Sequence, residues 1–407
     1  MKRKIYLFTN TFPYGCSVEA FLENEMMIAS HLDLDILLIP LRRQKGCRRL
    51  PVNVSVCNDL IAISILWKIW AVCKLLITRY VWKLFFVADR PRSKKEWFQA
   101  IKYLYGALLI EAFLIANKRL FHDNGILYSY WCNHTPLGLC LAREKDDFYK
   151  KFAICSRAHG YDVYERLVGT YFPYRKETLK MMDAVYVVSN KGAEYMKTLY
   201  PEVSSKIHVS YLGVLPSTEP NVEKQDSIIS IISCSKIYPL KRVELIYQSI
   251  NNYCLENPSK NVKWTHIGDG EGFNNLSRLV ENKASNLSVI LTGGISNSDV
   301  LYLYQRNNFD IFINLSLSEG IPVSIMEAIR FGIPIIGTDV GGNKEIVTQK
   351  TGVLIPVDFT QEQFVRAVTH ILVTGMKMKS DVLNFYEKNF NAWVNYKKFY
   401  HDILSLS

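Results

Sequence analysis

Residues 316–345 read SLSEGIPVSIMEAIRFGIPIIGTDVGGNKE, and they follow an apolar run, Ile311–Asn314. The run is typical of a buried β-strand, and Pro322 stands where the first position of a helix is expected. Gly332 indicates the carboxyl end of that helix. The segment therefore predicts a strand, a small polar loop and a helix over residues 323–331.

The same alternation of short β-branched runs and longer helical stretches extends along the chain. The runs that predict strands are Ile5–Thr9, Leu34–Pro40, Ile126–Tyr130, Ala153–Arg157, Ala184–Ser189, Ile207–Leu212, Ile228–Ser233, Trp264–Gly268, Val289–Thr292, Ile311–Asn314, Ile335–Gly337 and Gly352–Ile355. Nearly continuous apolar strands that alternate with helices are typical of parallel sheets covered on both faces. A polar, Pro-containing stretch without periodicity, residues 213–226, divides the runs equally and predicts a linker. We therefore expect an α/β chain of two similar doubly wound domains.

The expected domain boundaries follow from that linker. Residues 1–212 form the first domain and residues 227–385 the second, and the aromatic, basic stretch at residues 386–407 predicts a terminal helix. Doubly wound sheets bind ligands beyond the carboxyl ends of their strands. Two such domains facing each other are therefore expected to enclose a cleft.

The loop before the helix at residues 323–331 is a candidate anion site. A loop that enters a helix at a strand's carboxyl end leaves backbone N–H groups free beside the positive end of the helix dipole, and a diphosphate suits it. Glu319 lies in this loop, and Glu327 lies eight positions further on. Carboxylates accept strong hydrogen bonds from sugar hydroxyls. A capping acid at Glu319 and a solvated helix residue at Glu327 are equally compatible with the spacing.

SEGIPVSIMEAIRFGIPIIGTDVGGNKEIV resembles the Glu-x7-Glu signature of family 4 (group 1) retaining glycosyltransferases, and the resemblance covers residues 228–355. Upstream, SCSKIYPLKRVELI is similar to the family's strand and loop with two basic residues five apart. In this chain they are Lys236 and Lys241, with Lys at the first position where the family usually has Arg. HIGDGEG, with Gly268, resembles the next strand-end loop. The resemblance implies the GT-B fold, two facing Rossmann-like domains with an interdomain cleft.

The resemblance also implies a role for each matching residue. Glu327 would bind the ribose hydroxyls, Glu319 would contact the donor sugar, and Lys241 and Lys236 would neutralise the diphosphate. Further donor-binding residues would be Gly268, Gly320, Ile321, Pro322 and Val323. Transfer would retain the anomeric configuration without a protein nucleophile, metal ion or other cofactor, and the nucleotide diphosphate sugar would be the co-substrate.

The first domain is expected to bind the acceptor, and it holds further candidates at strand ends. TNTFPYGCSVEAF, residues 9–21, has one glycine, which disfavours a nicotinamide dehydrogenase because no G-x-G-x-x-G is present. It resembles the family's first loop, so Gly15 is a donor-binding candidate. His159 resembles a catalytic-site histidine near the donor sugar, and His134 and Asp162 are acceptor-side candidates, with Asp162 orienting either His159 or an acceptor hydroxyl. A structural role stays open for both histidines.

The net charge of +11 is concentrated between residues 42 and 119, a stretch that contains sixteen Lys and Arg residues and only four acids. Within it, residues 60–87 are strongly apolar and rich in Trp, and Lys68, Arg79 and Lys83 would share one face of a continuous helix. This pattern predicts an element at an anionic membrane surface. A buried helix with snorkelling lysines is the alternative.

The expected function is transfer of a hexose from a UDP- or GDP-linked donor to a glycan acceptor, linked to a polyprenyl diphosphate, in bacterial capsule or O-antigen synthesis. Nine scattered cysteines without a Cys-x-x-Cys pair indicate reduced thiols. The first apolar run is too short for a signal peptide, and no uninterrupted apolar run has the length of a membrane span. We therefore expect a cytoplasmic protein, peripheral on the inner face of the membrane.

Three other functions are compatible with parts of the sequence. A non-catalytic GT-B module would bind nucleotide sugars only. A metal-dependent transferase would use Asp33 and Asp35 as an Asp-x-Asp pair. A nucleic-acid binder is suggested by charge alone, but no nucleic-acid module accompanies the basic segment, so no nucleic-acid partner is expected.

Overall fold

A computed structural model describes residues 3–15, 19, 21–77, 79–86, 90–122, 125–217 and 227–406. The chain divides into two units. The first comprises Met1–Tyr211 together with Asn395–Ser407, and the second comprises Leu212–Val394. Most of the predicted linker, residues 218–226, lies outside the described residues.

The first unit is built on a parallel sheet. Its strands are β1 Arg3–Thr9, β2 Leu34–Pro40, β3 Val54–Val56, β4 Ile126–Ser129, β5 Ala153–Ala158, β6 Ala184–Val187 and β7 Ile207–Val209. Across the sheet the order is β3-β2-β1-β4-β5-β6-β7, and every neighbouring pair is parallel. The helices are α1 Leu22–Ala29, α2 Ile65–Ile77, α3 Arg79–Lys83, α4 Lys94–Ala116, α5 His134–Lys145, α6 Gly160–Val163, α7 Arg175–Met181 and α8 Asn190–Leu199.

The second unit repeats this plan. Its strands are β8 Ile229–Cys234, β9 Val262–Ile267, β10 Leu287–Leu291, β11 Ile311–Asn314, β12 Ile335–Thr338 and β13 Gly352–Ile355. They form a parallel sheet in the order β10-β9-β8-β11-β12-β13. The helices are α9 Val243–Glu256, α10 Phe273–Leu279, α11 Asn297–Arg306, α12 Val323–Ile329, α13 Asn343–Ile346 and α14 Gln361–Asn389, and α15 Ala392–Leu404 follows at the boundary between the units.

Both sheets are doubly wound, as the sequence predicts. The strand order reverses between β1 and β4 in the first unit and between β8 and β11 in the second. The loops that leave the carboxyl ends of these strands diverge to opposite faces and leave a crevice, which is where such sheets bind ligands. The candidate site residues come from these loops, from the loops after β5 and β9, and from the start of the following helices. Of the described strands, β3 alone was not predicted, and it is a three-residue edge strand.

The predicted terminal helix at residues 386–407 is wrong in its boundaries. Tyr386 belongs to α14, which runs to Asn389, and a new helix starts at Ala392. Phe390, with φ −130°, leaves helical geometry and separates the two. The residues of α15 from Asn395 onward belong to the first unit.

A buried ion pair lies where α15 meets the first sheet. Arg157 Nη2 is 3.6 Å from Glu25 Oε2, and both side chains are fully buried. The guanidinium also lies 4.0 Å from the ring centroid of Phe399 on α15, and Tyr400 donates to Glu25 at 3.3 Å. Burial raises the pKa of Glu25. Arg157 therefore holds α1, β5 and α15 together through charge that no water screens.

Within the apolar segment at residues 60–87, the described helices are α2, which ends at Ile77, and α3, which begins at Arg79; residue 78 lies outside the described residues. Lys74 points inward and pairs with the buried Glu111 of α4. The shared face of Lys68, Arg79 and Lys83 stays a prediction.

Helix α4 is the one helix in the described ranges that is long and apolar enough to cross a bilayer by length and composition. Of the most apolar 18-residue stretch of α4, 56% is buried inside the structure. Ala107 and Ile110 of α4 leave no room for a side chain at Gly138 of α5, so the two helices pack closely.

We predict that Arg157→Met weakens the anchoring of α15. The substitution leaves Glu25 buried without its cation, which costs about 3 kcal/mol or more. Amide hydrogen exchange of peptides covering residues 395–406 should therefore accelerate by about a hundredfold.

The matched control is Lys398→Met, which removes an exposed cation from the same helix. Peptides from the second unit serve as the internal reference. Equal exchange in Arg157→Met and Lys398→Met would show that the ion pair does not anchor α15.

Candidate active site

Two loops of the second unit meet beyond the carboxyl ends of β8 and β11. Lys241 Nζ lies 2.5 Å from Glu319 Oε1. Next to it, Arg242 adopts a left-handed conformation, φ 50°, and its Nε donates to the Leu315 carbonyl at 2.6 Å. Leu317 N donates to the Leu240 carbonyl at 2.8 Å. The two loops are thus locked together by one ion pair and two hydrogen bonds.

Glu319 is held by three donors on one oxygen. Besides Lys241, its Oε1 accepts hydrogen bonds from Asn314 Nδ2 at 3.1 Å and Ser316 Oγ at 2.7 Å. No described residue donates to Oε2. The alternative of a helix cap is wrong, because α12 has no side-chain cap. The arrangement fixes the carboxylate and leaves one oxygen for another donor, such as a sugar hydroxyl.

The glycine pair after β12 packs closely against the backbone of the Glu319 loop. Gly341 has φ +47°, and a Cβ there would lie 1.6 Å from the Glu319 carbonyl oxygen. Gly342 N donates to the Gly320 carbonyl at 2.8 Å. Only glycine allows this approach, so the GG of the segment supports the backbone of Glu319.

Glu327 is a buried acid, which excludes the alternative of a solvated helix residue. Glu327 belongs to α12, and its side chain is buried. Its Oε1 accepts one hydrogen bond, from Asn297 Nδ2 at 2.8 Å. Burial raises the pKa of Glu327 to about 7, against the lowering effects of Asn297 and Arg330. Because this carboxylate is desolvated, a further hydrogen bond from a hydroxyl group would stabilise its charged form.

The remaining donor-side candidates lie in the loops after β8, β9 and β11 and at the start of α12. Lys236 is exposed and has no ion-pair partner within the described ranges, whereas Ile321 and Pro322 are buried and Val323 begins α12. Gly268 has φ +145°, and a Cβ there would lie 1.9 Å from the Ser235 carbonyl oxygen. Gly268 therefore lets the loop after β9 pack against the loop after β8.

In the first unit, His159 follows β5 and lies among aromatic rings. Its ring centroid is 4.5 Å from that of Trp131 and 4.9 Å from that of Tyr130. Neither ring nitrogen has a hydrogen-bond partner among the residues that the structure describes. Burial, and secondarily the charge of Arg157, hold the pKa of His159 well below its usual value. The imidazole is therefore neutral and can exchange a hydrogen bond with a ligand.

Asp162 positions the backbone of two loops, and a contact with an acceptor hydroxyl stays a prediction. Its carboxylate is fully buried and accepts from Cys132 N at 2.6 Å and from His159 N. It therefore orients the backbone of His159 and ties the loops after β4 and β5 together. Burial raises the pKa of Asp162 to about 7.

The first loop is organised by a residue that sequence reasoning missed. Glu19 is buried, and its carboxylate accepts hydrogen bonds from the backbone N–H groups of residues 10, 11 and 12 and from Trp131 Nε1 at 2.5 Å. Gly15 has φ +80°, and its N–H donates to Gly46 at 3.2 Å. A donor-binding role for Gly15 stays a prediction. No spacing or periodicity singles out Glu19.

His134 begins α5, and its ring packs edge-on at 6.2 Å from the ring centroid of Tyr103. Burial, with smaller contributions from Arg42 and Lys102, lowers the pKa of His134 to about 4. Asp33 and Asp35 lie at the amino end of β2, opposite to the edge where these sheets bind ligands. No cluster of three metal-binding side chains occurs in the described part of the chain.

Residues 218–382 match the family model described as glycosyl transferases group 1. This part of the chain is similar to that family, and we call it the group 1 domain. The match contains both acids of the Glu-x7-Glu segment and both lysines, so the group 1 domain coincides with the site built by β8 and β11.

Curated relatives and solved structures extend this result. The GtfA subunit of a UDP-N-acetylglucosamine–peptide N-acetylglucosaminyltransferase from Streptococcus agalactiae is 23% identical over 266 residues, 62% of this chain and 50% of that protein. The chain spans about half the length of the curated relatives it matches.

Among solved structures, the apo lipopolysaccharide outer core galactosyltransferase WaaB aligns over 99% of both chains with a TM-score of 0.68 and 16% identity. HepE from Anabaena, solved with UDP-glucose, aligns over 99% of both chains with a TM-score of 0.60 and 13% identity. These similarities confirm the GT-B fold that the sequence predicts.

We predict that Glu327→Gln stabilises the group 1 domain at pH 8 and not at pH 5. Because the folded pKa of Glu327 is about 7 and the unfolded value is near 4.3, folding opposes ionisation and loses stability as the pH rises between these values. The uncharged amide avoids that loss, and we expect a gain of about 1–3 kcal/mol at pH 8.

Urea unfolding of the full chain at both pH values measures this difference. Glu271→Gln, which changes an exposed acid of the same domain, is the control. A Glu327→Gln gain that is equal at pH 5 and pH 8 would contradict the raised pKa.

Proposed function

We propose that this protein is a retaining glycosyltransferase that moves a hexose from a UDP-linked donor to a lipid-linked glycan acceptor during assembly of a cell-surface polysaccharide. The observation that carries the proposal is the pairing of a fixed Glu319 with a buried Glu327 in the group 1 domain, beside Lys241 and Lys236. Carboxylates suit the hydroxyls of a nucleotide sugar, and the lysines suit its diphosphate.

Glu327 is suited to the ribose. Asn297 occupies one carboxylate oxygen, and burial makes the charged form costly. Two ribose hydroxyls that donate to the carboxylate would offset that cost and lower its pKa. Nucleotide binding and ionisation of Glu327 are therefore expected to be coupled.

Glu319 and the two lysines are suited to the reacting end of the donor. As the bond between the anomeric carbon and the diphosphate oxygen breaks, negative charge develops on the leaving phosphate. Lys241 and Lys236 would neutralise it, which takes the place of a metal ion. Glu319 would hold a sugar hydroxyl through Oε2 while its Oε1 keeps Lys241 in place.

The acceptor hydroxyl would attack the anomeric carbon from the face that the diphosphate leaves. Its proton passes to the leaving phosphate oxygen, so the configuration is retained and no protein nucleophile forms a bond. The neutral His159 would contribute a hydrogen bond to the donor sugar. The contribution of the protein is then positioning and charge neutralisation.

A uridine donor is supported by the relatives. HepE was solved with UDP-glucose, and the GtfA relative is named for UDP-N-acetylglucosamine. A GDP-linked donor is the alternative that the sequence leaves open.

We predict that UDP binds the full-length protein more tightly than GDP and that Glu327→Ala weakens UDP binding by about 10–100-fold, the cost of losing hydrogen bonds to a charged group. Because the carboxylate must be ionised to accept both hydroxyls, UDP affinity should fall about tenfold between pH 8 and pH 6. Isothermal titration calorimetry with EDTA present measures both effects.

Glu327→Gln separates the titration of Glu327 from that of UDP itself, because only the parent protein should show the extra pH dependence. Absence of binding by both nucleotides to a folded protein would refute the proposed function. Binding without turnover of UDP-hexoses on any glycan acceptor would instead favour the non-catalytic module.

The proposal includes a peripheral membrane location, which rests on the outer surface of α2, α3 and the start of α4. Here the apolar side chains face outward: Leu66 is 74% exposed, Ile77 81% and Phe86 87%. We call this the apolar surface; its exposed members are Ile65, Leu66, Ile69, Val72, Leu76, Ile77, Trp82, Phe85, Phe86 and Phe98. An exposed apolar area of this extent is typical of an interaction site.

Charge favours a lipid partner for the apolar surface. Lys83 is exposed within it, and the exposed cations Arg90, Arg92, Lys94 and Lys95 follow it in the chain. Cations beside Trp and Phe suit the boundary between acyl chains and anionic head groups. Lys74 does not snorkel, because its ammonium pairs with the buried Glu111 inside the unit.

We predict that the protein floats with vesicles containing anionic lipid at low salt and that Leu66→Glu combined with Phe86→Glu abolishes flotation. Each added carboxylate opposes insertion and repels the anionic surface, by about 1 kcal/mol per charge or more. Val373→Glu, at a residue that is 82% exposed in the second unit, is the control. Failure of the parent protein to float would remove the membrane from the proposal.

A further inference from the structure

A cavity of about 700 Å³ opens in the first unit beyond the carboxyl ends of β1, β2 and β4. Asn10 follows β1, Leu41 follows β2, and Asn133 and His134 follow β4. This is the edge at which doubly wound sheets bind ligands, and the volume suits a ligand of drug size or larger. Most of the residues that line the cavity are not among the candidate active-site residues.

The charge lining the cavity is positive. Arg42 and Lys102 line it, and no acid is among the described residues that line it. Neither cation forms an ion pair within the described ranges, and both are exposed. Burial, and secondarily the charges of Arg42 and Lys102, lowers the pKa of His134 beside them. A guanidinium and an ammonium that converge on one cavity are suited to a phosphate or diphosphate group.

The opposite walls are apolar and aromatic. Tyr103, Tyr171 and Phe172 are buried at the cavity wall, and the Tyr103 hydroxyl is already used, because it donates to the Asn133 carbonyl at 2.9 Å. Leu109 and Ile110 add aliphatic lining. The ligand must therefore combine a charged group with an extended hydrophobic part, since a simple inorganic anion would leave these walls without a partner.

Helix α4 connects the cavity to the apolar surface. Phe98 is 71% exposed and belongs to that surface, whereas Gln99 and Lys102, on the following turn, line the cavity. A chain that leaves the cavity along α4 therefore meets exposed apolar side chains within one helical turn. A lipid whose head is bound by Lys102 can keep its tail in the bilayer on which the apolar surface rests.

We propose that this cavity binds the phosphate-bearing head of an isoprenyl-linked acceptor, with Arg42 and Lys102 as the residues that select its charge. The inference rests on the proposed function, and it assigns the acceptor head to a site in the first unit. His134, neutral at physiological pH, is available as a hydrogen-bonding wall beside the two cations.

The test is calorimetry of the full-length protein in detergent with three probes: farnesyl diphosphate, farnesol and inorganic diphosphate. Saturating UDP is present to occupy the donor site. Farnesyl diphosphate should bind at least tenfold more tightly than either of the other two, because it alone supplies both the charge and the chain. Equal binding of farnesol, or equal binding of inorganic diphosphate, overturns the proposal.

Two double variants test which residues bind the farnesyl diphosphate. Arg42→Ala combined with Lys102→Ala should weaken farnesyl diphosphate at least tenfold, and both residues are exposed, so the fold should be preserved. Lys68→Ala combined with Lys83→Ala removes the same charge from the apolar surface and should change the affinity less than threefold. Equal losses in the two double variants would place the diphosphate elsewhere.

The outcome is separable from the proposed function. Binding of UDP to the group 1 domain and its dependence on Glu327 should be unchanged by Arg42→Ala with Lys102→Ala. Loss of farnesyl diphosphate binding with intact UDP binding therefore refutes only the acceptor site. Failure of UDP binding with intact farnesyl diphosphate binding refutes only the donor site.

Discussion

The ion pair between Lys241 and Glu319 is the contact on which the geometry of the candidate site depends. It joins the loops after β8 and β11 at the point where the strand order reverses, and Arg242 reinforces it through the Leu315 carbonyl. Without it, the two loops have few reasons to converge, because each leaves the sheet toward a different face. The glycine pair at residues 341–342 then fixes Glu319 from the other side. The chemistry of the site follows from this convergence.

Buried carboxylates differ in what surrounds them. Glu25, Asp162 and Glu19 are contacted by cations, tyrosines or backbone N–H groups, and each organises a loop or anchors a helix. Among the described residues, only Asn297 donates a hydrogen bond to Glu327, although burial removes its carboxylate from water. A buried acid with so few donors at a crevice is a candidate for binding hydroxyl groups.

The sequence predicted the sheets well because parallel strands are buried on both faces and so appear as apolar runs. It missed β3, whose three residues are too few for a pattern, and it extended the terminal helix across Phe390, where no Gly or Pro marks the break. The Glu-x7-Glu segment located Glu319 and Glu327. It did not reveal that Glu327 is buried, nor that Asn297 contacts it from thirty positions away, because those facts depend on how α11 packs against α12. Glu19 has no periodic or motif signal at all.

The position of α15 determines the order in which the chain can be completed during synthesis. Arg157 and Glu25 emerge early, but Phe399 and Tyr400, which cover them, are made only after the whole second unit. At about 5–20 residues per second, roughly ten to fifty seconds separate the two events. During that interval the first unit exists with its buried charges uncovered, although its sheet is complete in sequence. Synthesis of the first unit therefore starts before that of the second unit, but the folding of the first unit is completed later.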